Sequence, residues 1–196
     1  MADATLIEHP EYERIAAAAA RLFESSVGIR VRTTVFRAAN PEYSELPELI
    51  SGLASKVKGS RWTSPHAMRL LHASDSPEHA IAEALATYRR FGLPLPRNLH
   101  IVVRAILCDV DRVLDLRDGS VRQALRVSED RMLRTNWKSE NHAGKEAISQ
   151  AVGRALAAAG FRGLLASSSA APGATNTAVF VDGLGAKDRI VVEGTK

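Results

Sequence analysis

The C-terminal part of the sequence constrains the fold most, because it combines a helix that has an apolar stripe with three short β-like runs. Apolar side chains recur at helical spacing over 144–159, and Gly160 ends the pattern. The β-like runs are at 163–166, 178–181 and 189–192. A helix followed by several short strands, without strict strand–helix alternation, is typical of an α+β domain rather than of a doubly wound sheet.

The rest of the chain mixes helical and β patterns in the same way. Helical spacing predicts helices over 11–27 and from Ser76 to about Tyr88, where Ser76 is the cap and Pro77 the first helical residue. Turn-forming residues predict a loop with one short helix over 38–58, and a partly helical segment is expected over 119–135. β-Branched and apolar runs predict strands at 30–37, 69–73, 99–107 and 113–116.

The length and the cysteine usage narrow the class of protein further. A chain of 196 residues suits one domain that buries its own core. The single cysteine, Cys108, excludes an internal disulfide framework and a multi-cysteine zinc site. The longest apolar stretch, Ile15 to Ala20, is too short to cross a bilayer, and the acidic N-terminus has no signal-peptide pattern. We therefore expect a cytoplasmic protein that does not contact a membrane.

The charge balance permits an anionic partner without identifying it. Lys and Arg total 26 against 22 acidic residues, which gives a net charge of +4. Arginine suits bidentate contacts with phosphate and carboxylate groups. Two acidic residues interrupt the densest basic cluster, so it is not a continuous nucleic-acid arm. A basic nucleic-acid-binding module remains one alternative, and it would use Arg122, Arg126, Arg131, Arg134 and Lys138.

Common catalytic signatures are absent from the sequence. It contains no dinucleotide-binding glycine motif, no P-loop, no nucleophile elbow and no HExxH zinc motif. The spacings of His66, His72 and His79 match no known zinc pattern, so we expect no metal. Cys108 ends an apolar run, which favours a buried, inert thiol.

Three motifs nevertheless occur in a meaningful order. The segment 59–85 reads GSRWTSPHAMRLLHASDSPEHAIAEAL, with Arg61 and Trp62 in a turn and an acid, Glu83, in the following helix. The segment 149–180 ends in SSSAAPGATNTAVF, which contains Ser168 and Asn176. The segment 35–41, VFRAANP, supplies an arginine from a predicted strand, Arg37.

Together these motifs resemble the RES family, which is named for recurring Arg, Glu and Ser residues, over about residues 30–193. Two positions depart from the family pattern. His72 replaces the usual tyrosine, and Ser167 replaces the proline that precedes the family serine. The first departure puts the efficiency or specificity of catalysis in question. The second leaves open, by one position, which of the neighbouring serines corresponds to the family serine.

The resemblance implies a fold and an activity. The expected fold is a single compact α+β domain with a split, mixed β-sheet around an NAD cleft, similar to ADP-ribosyltransferases. The RES-like catalytic domain would span 30–196, after an N-terminal helical extension at 1–29. The resemblance implies that NAD is the substrate and that its nicotinamide–ribose bond is cleaved, in a glycohydrolase or phosphorylase reaction. Transfer of ADP-ribose to a protein is the alternative enzymatic reaction.

The resemblance also implies a partner. Several RES proteins are toxins of toxin–antitoxin pairs, and a helix-turn-helix antitoxin of the Xre type blocks their cleft. By that analogy the expected partners are NAD and an antitoxin, with no direct contact to nucleic acid. A degenerate domain that binds NAD or a partner without turnover is a further alternative, because the usual tyrosine is missing.

The resemblance assigns roles that the bare sequence leaves open. Arg61, His72, Glu83 and Ser168 are the implied catalytic residues, and Arg37, Trp62 and Asn176 are the implied NAD-binding residues. Each also has an ordinary structural interpretation. Helical spacing puts Glu83 opposite the apolar face of its helix, which is typical of a solvated acid. Arg61 and Trp62 could form a surface cation–π pair, and the serine run an ordinary polar loop.

Overall fold

The helix predicted near the C-terminus lies in the centre of the molecule. In the computed structural model, which describes residues 6–43, 46–90, 92–97 and 99–194, this helix is buried along most of its length. It begins at Ile148, because the side chain of Gln150 accepts a hydrogen bond from the backbone N–H of Ala147 at 3.1 Å. It ends at Gly160, which adopts a left-handed conformation with φ 102°.

Eight α-helices and six β-strands form the described part of the chain. The helices are α1 (Tyr12–Glu24), α2 (Leu46–Ile50), α3 (Leu53–Lys58), α4 (Pro77–Arg90), α5 (Gly119–Leu125), α6 (Glu129–Arg134), α7 (Trp137–His142) and α8 (Ile148–Ala159). The strands are β1 (Ile29–Ala39), β2 (Leu70–Ser74), β3 (Val102–Asp115), β4 (Gly163–Ser167), β5 (Thr175–Phe180) and β6 (Arg189–Val192). Short 3-10 turns lie at Pro41–Tyr43 and Val181–Gly183.

All six strands belong to one mixed sheet, so the predicted α+β class is confirmed. The strand order is β1-β2-β5-β4-β3-β6, and β1 also pairs with β3 along almost its whole length. Only β3 and β4 run parallel, whereas the other pairs are antiparallel. β1 and β2 pair at a single position, Phe36 with Ser74, and beyond it the two strands separate. This separation splits the sheet.

The two faces of the sheet carry two apolar cores. Consecutive residues of a strand point to opposite faces, and Leu164 and Leu165 accordingly belong to different cores. The larger core packs against α1, α5 and α8, and the smaller one includes Cys108. Among the described residues, no helix is long and apolar enough to cross a membrane.

The N-terminal segment packs on the body of the domain. Ile15, Ala18 and Ala19 of α1 are buried in the larger core, and α1 lies against α8. Residues 1–5 of the predicted N-terminal extension, and residues 195–196 of the predicted catalytic domain, lie outside the described residues.

Two sequence-based assignments differ from the structure. The predicted strands at 99–107 and 113–116 are parts of one strand, β3. The acidic and basic residues at 109–112 interrupt the apolar pattern there, and Arg112 has a positive φ of 56°, opposite an irregular register in β1. The segment 38–58 contains two short α-helices instead of one.

Helix α4 packs on the sheet through its small side chains. Ala80 is 3% exposed, whereas Ile81, which belongs to the apolar face that helical spacing predicts for this helix, is 37% exposed. Small side chains let the helix axis approach β1 and β2 closely. The face opposite the predicted apolar stripe, which includes Glu83, therefore points towards the split in the sheet.

Candidate active site

A cavity of about 250 Å³ lies where β1 and β2 separate, beneath α4. Its lining includes Arg37 from β1, His72 from β2 and Glu83 from α4. An adjoining cavity of about 190 Å³ shares these three residues and extends to Ser74. The split in the sheet therefore brings together residues that are far apart in the sequence.

Two hydrogen bonds fix the carboxylate of Glu83. The hydroxyl of Ser168 donates to Oε1 at 2.5 Å, and the Nδ2 amide of Asn176 donates to the same oxygen at 2.5 Å. No hydrogen bond from a described residue ends on the second oxygen, Oε2. The carboxylate is thus oriented through one oxygen, and the other is available to a ligand.

The orientation of the Ser168 hydroxyl follows from the turn after β4. Its oxygen accepts hydrogen bonds from the backbone N–H groups of Ala170 and Ala171, each at 3.0 Å. With both acceptor sites of the hydroxyl in use, its proton points to Glu83. Ser168 therefore orients the carboxylate of Glu83.

The structure also separates the three neighbouring serines. Ser167 donates to Glu129 of α6, and Ser169 accepts a 2.7 Å hydrogen bond from Nη2 of Arg61. Ser168 is the serine that contacts Glu83. Of the three serines, Ser168 is therefore the one that is placed to act together with Glu83.

A buried cross-strand pair supports Asn176. Ser74 of β2 lies directly opposite Asn176 of β5, and its hydroxyl donates to Oδ1 of Asn176 at 3.1 Å. This contact fixes the amide so that its NH₂ group faces Glu83. Ser74 was not among the predicted site residues, although its position two residues after His72 puts both on one face of β2.

The electrostatic surroundings keep Glu83 ionised. Burial raises the pKa of Glu83. The charge that His72 carries when it is protonated in acid, the two hydrogen bonds and the charge of Arg61 lower it more, so the net pKa is below its ordinary value of 4.5. Burial lowers the pKa of His72 from 6.5; Glu83 opposes this shift, and Arg37 and Arg61 add to it. His72 is therefore neutral at near-neutral pH, and Glu83 is a carboxylate.

Arg37 is a half-buried cation without an acidic partner among the described residues, and its Nε atom is fully buried. Its Nη1 donates to the backbone oxygen of His72 at 2.7 Å, and its buried Nε has no hydrogen-bond partner. Burial lowers the pKa of Arg37, but a guanidinium stays protonated at neutral pH. A buried charge of this kind is costly unless it is paired, so Arg37 favours an anionic ligand in the cavity.

Arg61 approaches the same cavity from the turn before β2. Its Nη1 donates to the backbone oxygen of Met132 at 2.7 Å, which anchors the side chain to the C-terminal end of α6. Lys138 of α7 also lines the cavity, and its Nζ lies 5.6 Å from the ring centroid of Trp137. The sequence did not point to Trp137, because the short polar helix α7 has no apolar period, and it singled out Lys138 only as a member of the basic cluster.

Trp62, an implied NAD-binding residue, does not line this cavity. Its side chain is 1% exposed and belongs to the larger core. The backbone of Trp62 lies so close to α8 that a Cβ on Gly153 would be 1.9 Å from its carbonyl oxygen. The turn that presents Arg61 to the cavity is therefore anchored by burying the adjacent indole.

The basic cluster of α5, α6 and α7 is largely neutralised. Arg131 pairs with Glu11 at 2.5 Å, and Arg134 pairs with Asp130 at 2.6 Å. Arg122 lies 3.6 Å from a carboxylate of the same region, Glu129. Among the described residues, no group of three or more His, Cys, Asp or Glu side chains is arranged to hold a metal ion.

Comparisons with known proteins identify the family and the fold of the chain. No curated protein matches the chain. Among solved structures, the crystal structure of the M. tuberculosis MbcT-MbcA toxin-antitoxin complex is similar, with a TM-score of 0.71 and 16% sequence identity, over 91% of this chain and 91% of that chain. At this identity the similarity shows the fold alone. The profile of the RES domain matches residues 34–194, so the resemblance found in the motifs is confirmed and the chain belongs to the RES domain family.

Proposed function

We propose that this chain is the toxin of a toxin–antitoxin pair and that it acts on NAD by cleaving the bond between nicotinamide and ribose. One observation carries the proposal. An ionised carboxylate, Glu83, is fixed by Ser168 and Asn176 in a cavity whose other charged side chains are Arg37, Arg61 and Lys138. NAD carries a cationic nicotinamide ring, attached to the reacting ribose, and an anionic pyrophosphate within one molecule, and the cavity offers the complementary charges.

The reaction needs a negative charge near the sugar. When the C–N bond breaks, its electron pair leaves with nicotinamide, which becomes neutral, and positive charge develops on the ribose. Oε2 of Glu83 stabilises this charge, because the carboxylate is already oriented and ionised before the reaction. Nicotinamide leaves without a proton, so the site needs no general acid for this step.

The neutral state of His72 fits the same step. A protonated ring beside the sugar would oppose the developing positive charge, whereas a neutral imidazole does not. Burial lowers the pKa of His72, and Arg37 and Arg61 lower it further against the opposing effect of Glu83. We infer that His72 contacts the nicotinamide or its ribose as a neutral ring, at the position where the family usually has tyrosine.

The arginines bind the pyrophosphate, which is attached to the ribose on the side away from the bond that breaks. Arg37 has a buried Nε without a partner, and Arg61 is held at the rim by Met132 and Ser169. Guanidinium groups make bidentate contacts with phosphate oxygens. We assign Arg37 and Arg61 to the pyrophosphate of NAD, which fixes the ribose relative to Glu83.

The proposed partner is an antitoxin protein. The structurally similar MbcT is the toxin in a complex with its antitoxin MbcA. By analogy, an antitoxin with a helix-turn-helix domain would cover the cavity of this chain and keep it inactive. Co-expression with the product of an adjacent gene tests this: we expect a stable complex that releases no nicotinamide from NAD, and free, active enzyme would contradict it.

The direct test of the reaction follows nicotinamide release from NAD by the purified protein, with and without phosphate. Acceleration by phosphate, with ADP-ribose 1″-phosphate as product, identifies a phosphorylase, and ADP-ribose alone identifies a glycohydrolase. NAD labelled in the ADP-ribose half would instead label protein if the chain is an ADP-ribosyltransferase. If nicotinamide is released under none of these conditions, the proposed function is wrong.

A further inference from the structure

A second, larger cavity adjoins the active-site cavity. It measures about 540 Å³, within the range of roughly 300–1,000 Å³ typical of small-molecule sites. Ser55, Trp137 and Lys138 line both cavities, so they mark the junction. The part beyond the junction is lined by Ala54, Gly59 and Pro65, and by polar side chains at its rim: Lys58, Asn141 and His142.

The junction is rigid, because one buried amide contacts both of its walls. Gln150 of α8 forms two hydrogen bonds with the amide of Asn141 in α7, at 2.7 and 2.9 Å. Its Nε2 also donates to the backbone oxygens of Ser60 and Thr63, at 3.0 and 3.2 Å, in the turn that carries Arg61. The position of α7 relative to the Arg61 turn is therefore set before any ligand binds.

Chemical groups follow one another along the two cavities in a fixed order. Glu83, His72 and Arg61 line the active-site cavity alone, Trp137 and Lys138 line both cavities at the junction, and the rest of the larger cavity lies beyond them. NAD has the same order: the nicotinamide riboside, the pyrophosphate and the adenosine. An aromatic ring beside an apolar wall is suited to a purine base, which stacks on it.

We propose that the larger cavity binds the adenosine end of the dinucleotide, with the adenine stacked on Trp137 and Lys138 contacting the pyrophosphate at the junction. This inference rests on the proposed function, which it deepens by assigning the non-reacting half of the substrate. A mononucleotide has no adenosine to occupy this cavity, so the cavity favours a dinucleotide substrate. Stacking discriminates little between bases, so the preference depends on the presence of a base more than on its identity.

The first experiment compares two substrates with the same scissile bond. NAD has an adenosine end, and nicotinamide mononucleotide lacks it. For Trp137→Ala, the ratio of kcat/KM for NAD to that for the mononucleotide should fall about tenfold, whereas Trp137→Phe should keep most of it. An unchanged ratio in Trp137→Ala would overturn the inference, even if wild-type protein cleaves NAD.

The second experiment does not depend on catalysis. 5′-AMP, the half of NAD that would occupy the larger cavity, is titrated into the protein by calorimetry. Wild type and Trp137→Phe should bind it with similar affinity, and Trp137→Ala about tenfold more weakly. Lys138→Met should also weaken AMP binding, whereas Lys187→Met, which removes an exposed lysine outside both cavities, should not.

The two experiments separate this inference from the proposed reaction. AMP binding that depends on Trp137, in a protein that releases no nicotinamide, would support the adenosine site and reject the reaction. Nicotinamide release with AMP binding that is unaffected by Trp137→Ala and Lys138→Met would support the reaction and reject the adenosine site.

Discussion

Replacing Asn176 by aspartate should put a second carboxyl group beside Glu83, so that the two carboxyl groups share one proton. In the wild type, Nδ2 of Asn176 donates to Oε1 of Glu83 at 2.5 Å, and Asn176 is only 4% exposed. Asn176→Asp keeps the shape of the side chain and places a second carboxylate there. Two unit charges about 4 Å apart repel by about 4 kcal/mol at an effective dielectric constant of about 20. That energy corresponds to about a thousandfold rise in the proton affinity of the pair.

The pH dependence of the reaction then shifts in a defined direction. The pair of carboxyl groups keeps one proton at a higher pH than Glu83 alone would. The acid limb of kcat/KM for nicotinamide release should therefore move to higher pH. With allowance for screening by nearby cations, the expected shift is about two pH units. The wild-type limb should lie below the ordinary carboxyl range, since the pKa of Glu83 is lowered. The matched control is Asn40→Asp, at an exposed position outside the cavity.

The same substitution changes the stability with a sign that follows from the raised pKa. The folded pair holds a proton that the unfolded carboxyls lose, so the free energy of unfolding of Asn176→Asp should fall, relative to wild type, as the pH rises from acid to neutral. Relative to wild type, the free energy of unfolding of Asn176→Asp should be lower by about 3 kcal/mol near neutral pH, and this difference should vanish in acid. Superimposable pH profiles of activity and of urea unfolding for variant and wild type would refute the proposed contact between Asn176 and Glu83.

Three other substitutions or probes test individual contacts. Gly153→Ala puts a Cβ 1.9 Å from the carbonyl oxygen of Trp62 and should lower the free energy of unfolding by about 3 kcal/mol, whereas Gly119→Ala, with no contact closer than 3.8 Å, should have little effect in urea titration. Ser168→Ala leaves one buried and one half-buried backbone N–H group without their acceptor. It should cost about 2 kcal/mol of stability and also slow nicotinamide release, and wild-type values for both would contradict the assigned contacts. Burial, with nearby acidic side chains, raises the pKa of Cys108 to about 11, so a thiol reagent such as iodoacetamide should modify it only after unfolding, and fast labelling of native protein would contradict its burial.

Much of the fold could be predicted from local patterns. Helix α8 was recognised because its apolar stripe is long and a glycine ends it, and the three strands that follow it were placed to within a few residues. Helix α7 was missed because six polar and aromatic residues carry no period, and its position depends on the tertiary hydrogen bonds between Asn141 and Gln150. The continuity of β3 was missed because pairing with β1 overrides the break in its apolar pattern.

The site was predicted through motif order more than through periodicity. Helical spacing alone made Glu83 a solvated acid, because the larger apolar residues of α4 lie on the other side. In the structure, the small residue Ala80 faces the sheet and Glu83 lies beside the split, so helix burial depends on close approach as well as on hydrophobicity. The family resemblance assigned Trp62 to the ligand, but its indole is buried in the core, because neighbouring side chains in a turn point in different directions.

The central claim is that Glu83 is the carboxylate that stabilises the ribosyl cation during cleavage of NAD. The most direct measurement is single-turnover nicotinamide release by Glu83→Gln, beside Glu78→Gln, which changes an exposed acid in the first turn of the same helix. Glutamine keeps the shape of Glu83 and removes its charge. We expect about a thousandfold slower release by Glu83→Gln and wild-type release by Glu78→Gln. Release at the wild-type rate by Glu83→Gln would show that this carboxylate does not stabilise the ribosyl cation.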